Sequence, residues 1–236
     1  MADEVMVLID SETGALLVEG PNQLTSPIHA TLDQLMGPSQ TIGCAAPLEM
    51  QTLLPATDDE IAETDCVRIA GYWHNSLIEG PGRRTVVKLQ GCPIRCLGCI
   101  TPETWDASGG FAAPVGRLAD ALLDPALDRD GVTILGGEPF SQPAALHALV
   151  GALRLRGCHH ILCYSGYTYD ALRHRSKFEP AVGAVLDEID MLIDGPYVAR
   201  LAEGAGPWTG SSNQHVLALK ASPDGDQSAA TEALAD

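Results

Sequence analysis

The sequence predicts an α/β fold in which strands and helices alternate around a parallel sheet. Three observations lead to this prediction. Short apolar runs recur between Thr85 and Leu219. Segments with the apolar spacing of a helix separate them, and several of the runs end in glycine-rich or polar turns. Strands that repeat with intervening helices are typical of a parallel sheet with helical crossovers.

The first part of the chain, residues 1–67, is predicted to be a small acidic appendage. Two apolar runs, 5–9 and 15–18, flank a polar turn that ends in Gly14, a pattern typical of a β-hairpin. A short helix is expected over 26–36, followed by a linker.

The central part, residues 68–220, carries the alternating pattern. Its predicted strands are 85–89, 131–135, 160–164, 189–193 and 214–219. Its predicted helices are 115–123, 142–154, a helix start at 169–173, and 180–188. The remaining residues, 221–236, are expected to form an acidic, disordered tail.

Charge is distributed unevenly along the chain. The formal net charge is −17, and residues 1–67 hold 12 acidic residues but no Lys or Arg. Residues 68–220 are almost neutral, with 15 acidic and 14 basic residues. Because an acidic chain is repelled by phosphate backbones, nucleic-acid binding is not expected.

No apolar run approaches the roughly 18 residues that a membrane-spanning helix needs. The N-terminal residues, Met-Ala-Asp-Glu-Val, are acidic where an export signal would be basic. We therefore expect a cytoplasmic protein without membrane association.

Three of the seven cysteines fall within eight residues, as Cys92, Cys96 and Cys99. Three thiolates on one loop are typical of an iron–sulfur site, and a [4Fe–4S] cube with three local ligands leaves one iron open. A zinc site is the alternative, with His74 or Cys66 as a fourth ligand. In the predicted sheet this loop and the glycine-rich turns share the carboxyl edge, where α/β folds bind ligands.

Further motifs accompany the cysteines in a fixed order. They are Glu79-Gly-Pro-Gly-Arg-Arg84, Leu89-Gln-Gly91, Thr101-Pro-Glu-Thr-Trp-Asp106, Leu135-Gly-Gly-Glu-Pro139, Tyr164-Ser-Gly-Tyr167, Leu192-Ile-Asp-Gly195 and Gly210-Ser-Ser-Asn-Gln214. This ordered set resembles the radical S-adenosylmethionine superfamily, and within it the activating enzymes of glycyl-radical proteins, in particular the activase of anaerobic ribonucleotide reductase. The resemblance covers about residues 77–219.

The resemblance implies an open partial (β/α) barrel that holds a [4Fe–4S] cluster and S-adenosylmethionine. Electron transfer from the cluster would break the C5′–S bond, and the resulting 5′-deoxyadenosyl radical would remove a hydrogen atom from the substrate. A flavodoxin or ferredoxin is the implied electron donor. Cys92, Cys96 and Cys99 would be the iron ligands.

Under the same interpretation, other residues would contact S-adenosylmethionine. Gly136 and Gly137 would allow close backbone approach, and a nearby carbonyl or Glu138 would accept bonds from the methionine ammonium. The other candidates are Ser165 and Asp194 at strand ends, and Gly98 and Ile100 beside the third cysteine. Whether Asn213, Gln214, Cys158 or Cys163 take part in the chemistry stays open.

Three functions remain open. The first is hydrogen abstraction from a glycine of a glycyl-radical protein. The second is radical modification of a small molecule or peptide, favoured by Gly98, Ile100 and Pro196, where the related activases commonly have other residues, and by the added N-terminal part. The third is a structural metal-binding or electron-carrying module.

Overall fold

The structure is a computed structural model that describes residues 6–9, 16–19 and 66–220. The chain divides into two compact units, 1–52 and 53–236. The helix predicted over 26–36 and the predicted acidic tail lie outside the described residues.

The first unit contains two short strands, β1 (Met6–Ile9) and β2 (Leu16–Glu19). They pair antiparallel, with Met6 opposite Glu19 and Ile9 opposite Leu16.

The second unit is built around a seven-stranded mixed sheet. Its strands are β3 (Cys66–Ser76), β4 (Arg84–Leu89), β5 (Phe111–Pro114), β6 (Gly131–Gly136), β7 (Ile161–Tyr164), β8 (Met191–Asp194) and β9 (His215–Ala218). Their order across the sheet is β5-β3-β4-β6-β7-β8-β9, with β4, β6, β7 and β8 mutually parallel. The edge strands β5 and β9 do not pair with each other, so the sheet is open. The α/β class predicted from the sequence is confirmed.

The helices follow the strands as crossover connections. They are α1 (Val115–Leu122), α2 (Pro143–Leu155), α3 (Tyr169–Arg175) and α4 (Pro180–Glu188). Proline begins α2 and α4, where its missing N–H costs nothing. The hydroxyl of Thr168 caps α3 by accepting a hydrogen bond from the Ala171 amide at 3.3 Å. None of the described helices is long and apolar enough to cross a membrane.

All four helices pack against one face of the sheet. Their apolar side chains form one buried core with alternate strand residues such as Val87, Ile134 and Cys163. The intervening strand residues Val86 and Leu162 are also buried, but they lie outside this core and point to the opposite face.

Loops cover that opposite face. The segment before β4 lies close to it, because a Cβ on Gly80 would be 2.9 Å from Leu162 Cδ1. The segment after β8 also reaches it, since the Tyr164 hydroxyl donates to the Trp208 carbonyl at 2.8 Å.

The sequence analysis did not identify two strands, β3 and β5. Register shifts between Ile69 and Gly71, and again between Trp73 and Ser76, interrupt the alternation of β3. Strand β5 has only four residues and ends in Pro114, which is tolerated because β5 is an edge strand.

Candidate iron–sulfur and cofactor site

The candidate site lies at the edge of the sheet where the parallel strands end. Strand β4 leads into the cysteine loop, residues 90–100, and β6 leads into residues 137–138. Strand β7 is followed by Ser165, and β8 ends in Asp194. Because parallel strands end at the same edge, the fold brings these distant parts of the chain together.

The cysteine loop carries three partly exposed thiols, those of Cys92, Cys96 and Cys99. The Cys99 amide donates to the Cys96 carbonyl at 3.1 Å and closes a turn. The Thr101 amide donates to Cys99 Sγ at 3.4 Å. Burial raises the pKa of the Cys96 thiol, and the neighbouring Cys92 and Cys99 thiols act in the same direction.

The cysteine loop spans the strand ends from β4 to the segment after β8. Ile94 lies so close to Gly166 that a Cβ on that glycine would be 2.6 Å from Ile94 Cδ1. Gly98 has a φ of +80°. A Cβ there would lie 3.2 Å from Ala199 Cβ and 3.7 Å from Tyr197 Cε1. Gly98 therefore lies where the cysteine loop contacts the segment after β8.

Gly136 and Gly137 allow β6 to end against the backbone of β4. Gly136 has a φ of +122°, and a Cβ there would lie 2.4 Å from the Leu89 nitrogen. A Cβ on Gly137 would lie 2.3 Å from the Gly91 carbonyl oxygen. The amides of Gly137 and Glu138 donate to Leu89 and Gly91 carbonyls at 2.9 and 2.8 Å. A larger residue at either position would displace the start of the cysteine loop.

Glu138 is 1% exposed and ties the end of β6 to the end of β7. Its Oε1 accepts from the Phe140 amide at 3.0 Å and the Ser165 hydroxyl at 2.9 Å. Its Oε2 accepts from the Gly166 amide at 2.7 Å and keeps one acceptor position. Burial raises the pKa of Glu138 to about 7, and these donated bonds limit the rise.

Asp194 is 3% exposed, and both of its carboxylate oxygens are engaged. Oδ2 accepts from the amide of Tyr169, the first residue of α3, at 2.6 Å. Oδ1 pairs with His215 Nδ1 at 2.8 Å. The sequence analysis missed His215, because a single histidine at the start of a strand carries no motif. Asp194 thus links β8 to α3 and β9.

Two glutamines fix the start of the cysteine loop: Gln90, which belongs to the Leu89–Gly91 motif, and Gln142, which the sequence analysis did not single out. The Gln90 side chain donates to the Glu103 and Asp106 carbonyls at 3.0 and 2.7 Å. The Gln142 side chain donates to the Gln90 and Arg68 carbonyls at 3.0 and 2.9 Å. The motif gives no signal for this role of Gln90, and an isolated glutamine such as Gln142 gives no sequence signal at all.

The segment after the cysteine loop packs beside the first cysteine. The Gly91 amide donates to the Thr104 carbonyl at 2.8 Å, and the Cys92 amide donates to the Trp105 carbonyl at 3.2 Å. In the described part of the chain, the buried indole Nε1 of Trp105 has no hydrogen-bond partner.

Three other candidates lie at the rim of the site. Ile100 is 89% exposed and takes no part in the hydrogen bonds that link the strand ends. Asn213 donates from Nδ2 to the Pro196 carbonyl at 2.8 Å, whereas its buried Oδ1 lacks a donor among the described residues. Gln214 donates to the Gly195 carbonyl at 2.9 Å and so fixes the turn after β8.

The remaining candidates lie away from the cysteine loop. His74 bonds Thr85 at 3.1 Å, near the amino end of β4. Cys158 and Cys163 lie in the helix-side core, where burial raises the pKa of both thiols.

Arg84, the last residue of the Glu79–Arg84 motif, is 1% exposed at the amino end of β4. It donates to Thr133 Oγ1 at 3.0 Å and to the Val132 carbonyl at 2.7 Å. The Thr133 hydroxyl donates in turn to the Glu79 carbonyl at 2.7 Å. Burial lowers the pKa of Arg84 to about 10. The guanidinium therefore anchors the loop before β4.

The donor set fits a [4Fe–4S] cluster. Three thiols lie on one loop, and the Thr101 amide already donates to Cys99 Sγ. Trp105, whose carbonyl accepts from the Cys92 amide, has an indole N–H without a partner among the described residues. Across residues 66–220, no three His, Cys, Asp or Glu side chains are grouped to hold a single metal ion. The cysteines of a cube bind separate irons, so they need not converge on one point.

A parallel sheet that ends beneath a three-cysteine loop, next to a Gly-Gly-Glu strand end, is the arrangement that the resemblance to radical S-adenosylmethionine enzymes implies. Comparison with known proteins agrees with this class. A family model described as a 4Fe-4S single cluster domain matches residues 78–217.

Two curated relatives have the names of activating proteins. The pyruvate formate-lyase-activating enzyme of Clostridium pasteurianum is 40% identical over 106 residues, which are 43% of this chain and 44% of that enzyme. The anaerobic ribonucleoside-triphosphate reductase-activating protein of Escherichia coli K12 is 30% identical over 155 residues, 63% of this chain and 97% of that protein. Among solved structures, QueE from Escherichia coli matches with a TM-score of 0.38 and 22% identity, over 44% of this chain and 53% of that chain. That TM-score is too low to establish a shared fold.

The chain belongs to the 4Fe-4S single cluster domain family. It is a radical S-adenosylmethionine enzyme of the activating type, and its cofactors are a [4Fe–4S] cluster and S-adenosylmethionine. This result decides against the zinc site and the non-enzymatic module that the sequence left open.

Proposed function

We propose that the protein activates a glycyl-radical enzyme by removing a hydrogen atom from a glycine of that partner, and that the partner is of the anaerobic ribonucleotide reductase type. The observation that carries the proposal is the alignment with the Escherichia coli activating protein over 97% of its length. The Clostridium pasteurianum relative, named for a different partner, is matched over only 44% of its length.

Cys92, Cys96 and Cys99 are the proposed cluster ligands. They leave one iron without a protein ligand, and that iron is the proposed position for the amino and carboxylate groups of S-adenosylmethionine. A reduced [4Fe–4S] cluster held by these cysteines would supply the electron for cleavage of S-adenosylmethionine into methionine and a 5′-deoxyadenosyl radical, and that radical would abstract the hydrogen atom.

The strand ends are the proposed binding site for S-adenosylmethionine. The carbonyl groups of Gly136 and Gly137 and the free position on Glu138 Oε2 supply acceptors for the methionine ammonium. The second acceptor position on Asp194 Oδ2, and Asn213 Oδ1, which has no donor among the described residues, supply acceptors for the ribose hydroxyls. Ser165 holds the Glu138 carboxylate in place at 2.9 Å.

The partner and the electron donor complete the proposal. A flavodoxin or ferredoxin would reduce the cluster in the cytoplasm, and the glycine would approach S-adenosylmethionine closely enough for hydrogen transfer.

The experiment mixes reduced, cluster-loaded protein with S-adenosylmethionine and an anaerobic ribonucleotide reductase from the same organism. A doublet from a glycyl radical in the electron paramagnetic resonance spectrum is expected. The matched control is Cys96→Ser, which should give no doublet, beside Cys158→Ala, which should give the full one. 5′-Deoxyadenosine formation without any doublet would contradict the activase proposal and favour a small-molecule or peptide substrate.

A further inference from the structure

The indole of Trp105 has an unsatisfied donor. Its Nε1 is buried and has no hydrogen-bond partner within the described residues. An indole N–H can only donate, and leaving a buried donor unpaired costs about 1–3 kcal/mol. Such a group in a folded protein commonly marks the position of a missing water, ion or ligand.

The backbone around Trp105 is held firmly beside the first cysteine. The Cys92 amide donates to the Trp105 carbonyl at 3.2 Å, and the Gly91 amide donates to the Thr104 carbonyl at 2.8 Å. Thr104 is fully buried, and its hydroxyl donates to the Thr101 carbonyl at 2.8 Å. Trp105 is therefore fixed by the same contacts that fix the start of the cysteine loop.

A [4Fe–4S] cluster would bring acceptors to this place, because its cysteine and sulfide sulfurs accept hydrogen bonds. One such bond is already formed at the other end of the loop, from the Thr101 amide to Cys99 Sγ at 3.4 Å. The Trp105 carbonyl accepts from the Cys92 amide, so the Trp105 indole N–H is the candidate for a corresponding bond on the Cys92 side. Groups around a metal centre commonly orient and tune it in this way.

We infer that Trp105 donates its indole N–H to a sulfur of the bound cluster on the Cys92 side and thereby raises the cluster's reduction potential. The reduced cluster carries one more negative charge, so a donor to sulfur stabilises it more than the oxidised form. This inference rests on the proposed ligation by Cys92. It makes Trp105 a positioning and tuning residue that eases reduction by the electron donor.

The first test is a redox titration of cluster-loaded Trp105→Phe, followed by electron paramagnetic resonance of the reduced cluster. Phenylalanine keeps an aromatic ring but removes the donor. We expect unchanged iron and sulfide content and a reduction equilibrium about tenfold less favourable, which is about 59 mV for a one-electron couple. Affinity for S-adenosylmethionine should stay the same.

Trp73→Phe and Trp208→Phe are the matched controls, because neither indole nitrogen is a buried unpaired donor in the described part of the chain. Both controls should keep the wild-type potential. A wild-type potential in Trp105→Phe would overturn the inference.

A second measurement needs no change at Trp105. In wild-type protein labelled with ¹⁵N-indole tryptophan, pulsed electron paramagnetic resonance of the reduced cluster should detect a ¹⁵N coupling. The coupling should persist in the Trp73→Phe and Trp208→Phe proteins. Its absence from the wild type would overturn the inference even if Trp105→Phe fails to fold.

The two proposals fail in different ways. If wild-type protein takes up no [4Fe–4S] cluster, both the ligand set and the inference are wrong. If the cluster assembles and supports S-adenosylmethionine cleavage but no ¹⁵N coupling is present, only the inference about Trp105 is wrong.

Discussion

Glu138 and Asp194 are buried carboxylates at the carboxyl edge of the sheet, and each connects different parts of the fold. Glu138 joins the end of β6 to Ser165 and Gly166 after β7. Asp194 joins β8 to the first amide of α3 and to His215 of β9. The family resemblance predicts both residues as contacts of S-adenosylmethionine. It could not predict their internal partners, which depend on how the strand ends pack.

The cysteines give a prediction at the residue scale. Serine at position 92, 96 or 99 should reduce the bound iron and sulfide about tenfold or more, because a thiolate ligand is lost. Iron and sulfide analysis of anaerobically reconstituted protein measures this effect. Cys158→Ala is the control, since that thiol lies in the core, and it should keep the wild-type iron content. Equal loss in the control would contradict the ligand assignment.

Glu138 gives a prediction on pH. Its pKa is raised to about 7 in the folded protein from 4.5. The folded state therefore holds a proton that the unfolded state releases, so this stabilisation is complete below about pH 4.5 and is lost as pH rises through 7. The shift corresponds to about 3 kcal/mol.

The measurement compares the free energy of unfolding in urea for wild type and Glu138→Gln between pH 5 and 8. Glutamine does not titrate, so the difference between the two proteins should change across this window, with wild type losing stability as pH rises. A difference independent of pH would show that Glu138 stays ionised, held by its three donors.

At the scale of elements, some strands of the sheet could be predicted from the sequence and others could not. The parallel strands β4, β6, β7 and β8 could be predicted because each is a short apolar run that ends in a distinct turn. Strand β3 could not, because its register shifts break the alternation of apolar residues, and β5 could not, because four residues ending in proline resemble a loop. Contacts across the site, such as that of Ile94 with Gly166, depend on the path of the cysteine loop. No local sequence pattern predicts them.

The end of β6 gives a prediction at the scale of elements. Alanine at Gly137 would place a Cβ 2.3 Å from the Gly91 carbonyl oxygen, so the cysteine loop must shift. We expect a loss of about 1–3 kcal/mol in the free energy of unfolding and a weaker affinity for S-adenosylmethionine.

Gly151→Ala is the matched control, because a Cβ there meets nothing within 4 Å inside α2. It should stabilise the protein by up to about 1 kcal/mol through helix propensity. Urea unfolding and equilibrium dialysis measure both variants. A Gly137→Ala protein with wild-type stability would contradict the close packing of β6 on β4.

At the scale of the whole molecule, acidity is concentrated outside the family region. Residues 1–67 hold 12 acidic residues and no basic ones, whereas residues 68–220 are nearly balanced. The family match covers residues 78–217. A charge confined to the remaining segments should affect long-range approach of a partner more than chemistry at the sheet edge.

Deletion of residues 1–65, which ends just before β3, tests this view. We expect radical formation on the partner to fall more than the cleavage of S-adenosylmethionine measured without the partner. Chromatography of 5′-deoxyadenosine and spin counting of the glycyl radical compare the two activities. An equal fall in both would mean that the segment only supports the fold.

The most direct measurement of the proposed function follows the hydrogen atom itself. The partner enzyme is produced with glycine deuterated at Cα, and the reduced, cluster-loaded protein is mixed with it and S-adenosylmethionine. Mass spectrometry of the 5′-deoxyadenosine formed should show one deuterium, accompanied by a glycyl radical on the partner. Unlabelled 5′-deoxyadenosine and no glycyl radical would contradict the assignment of this protein as an activase.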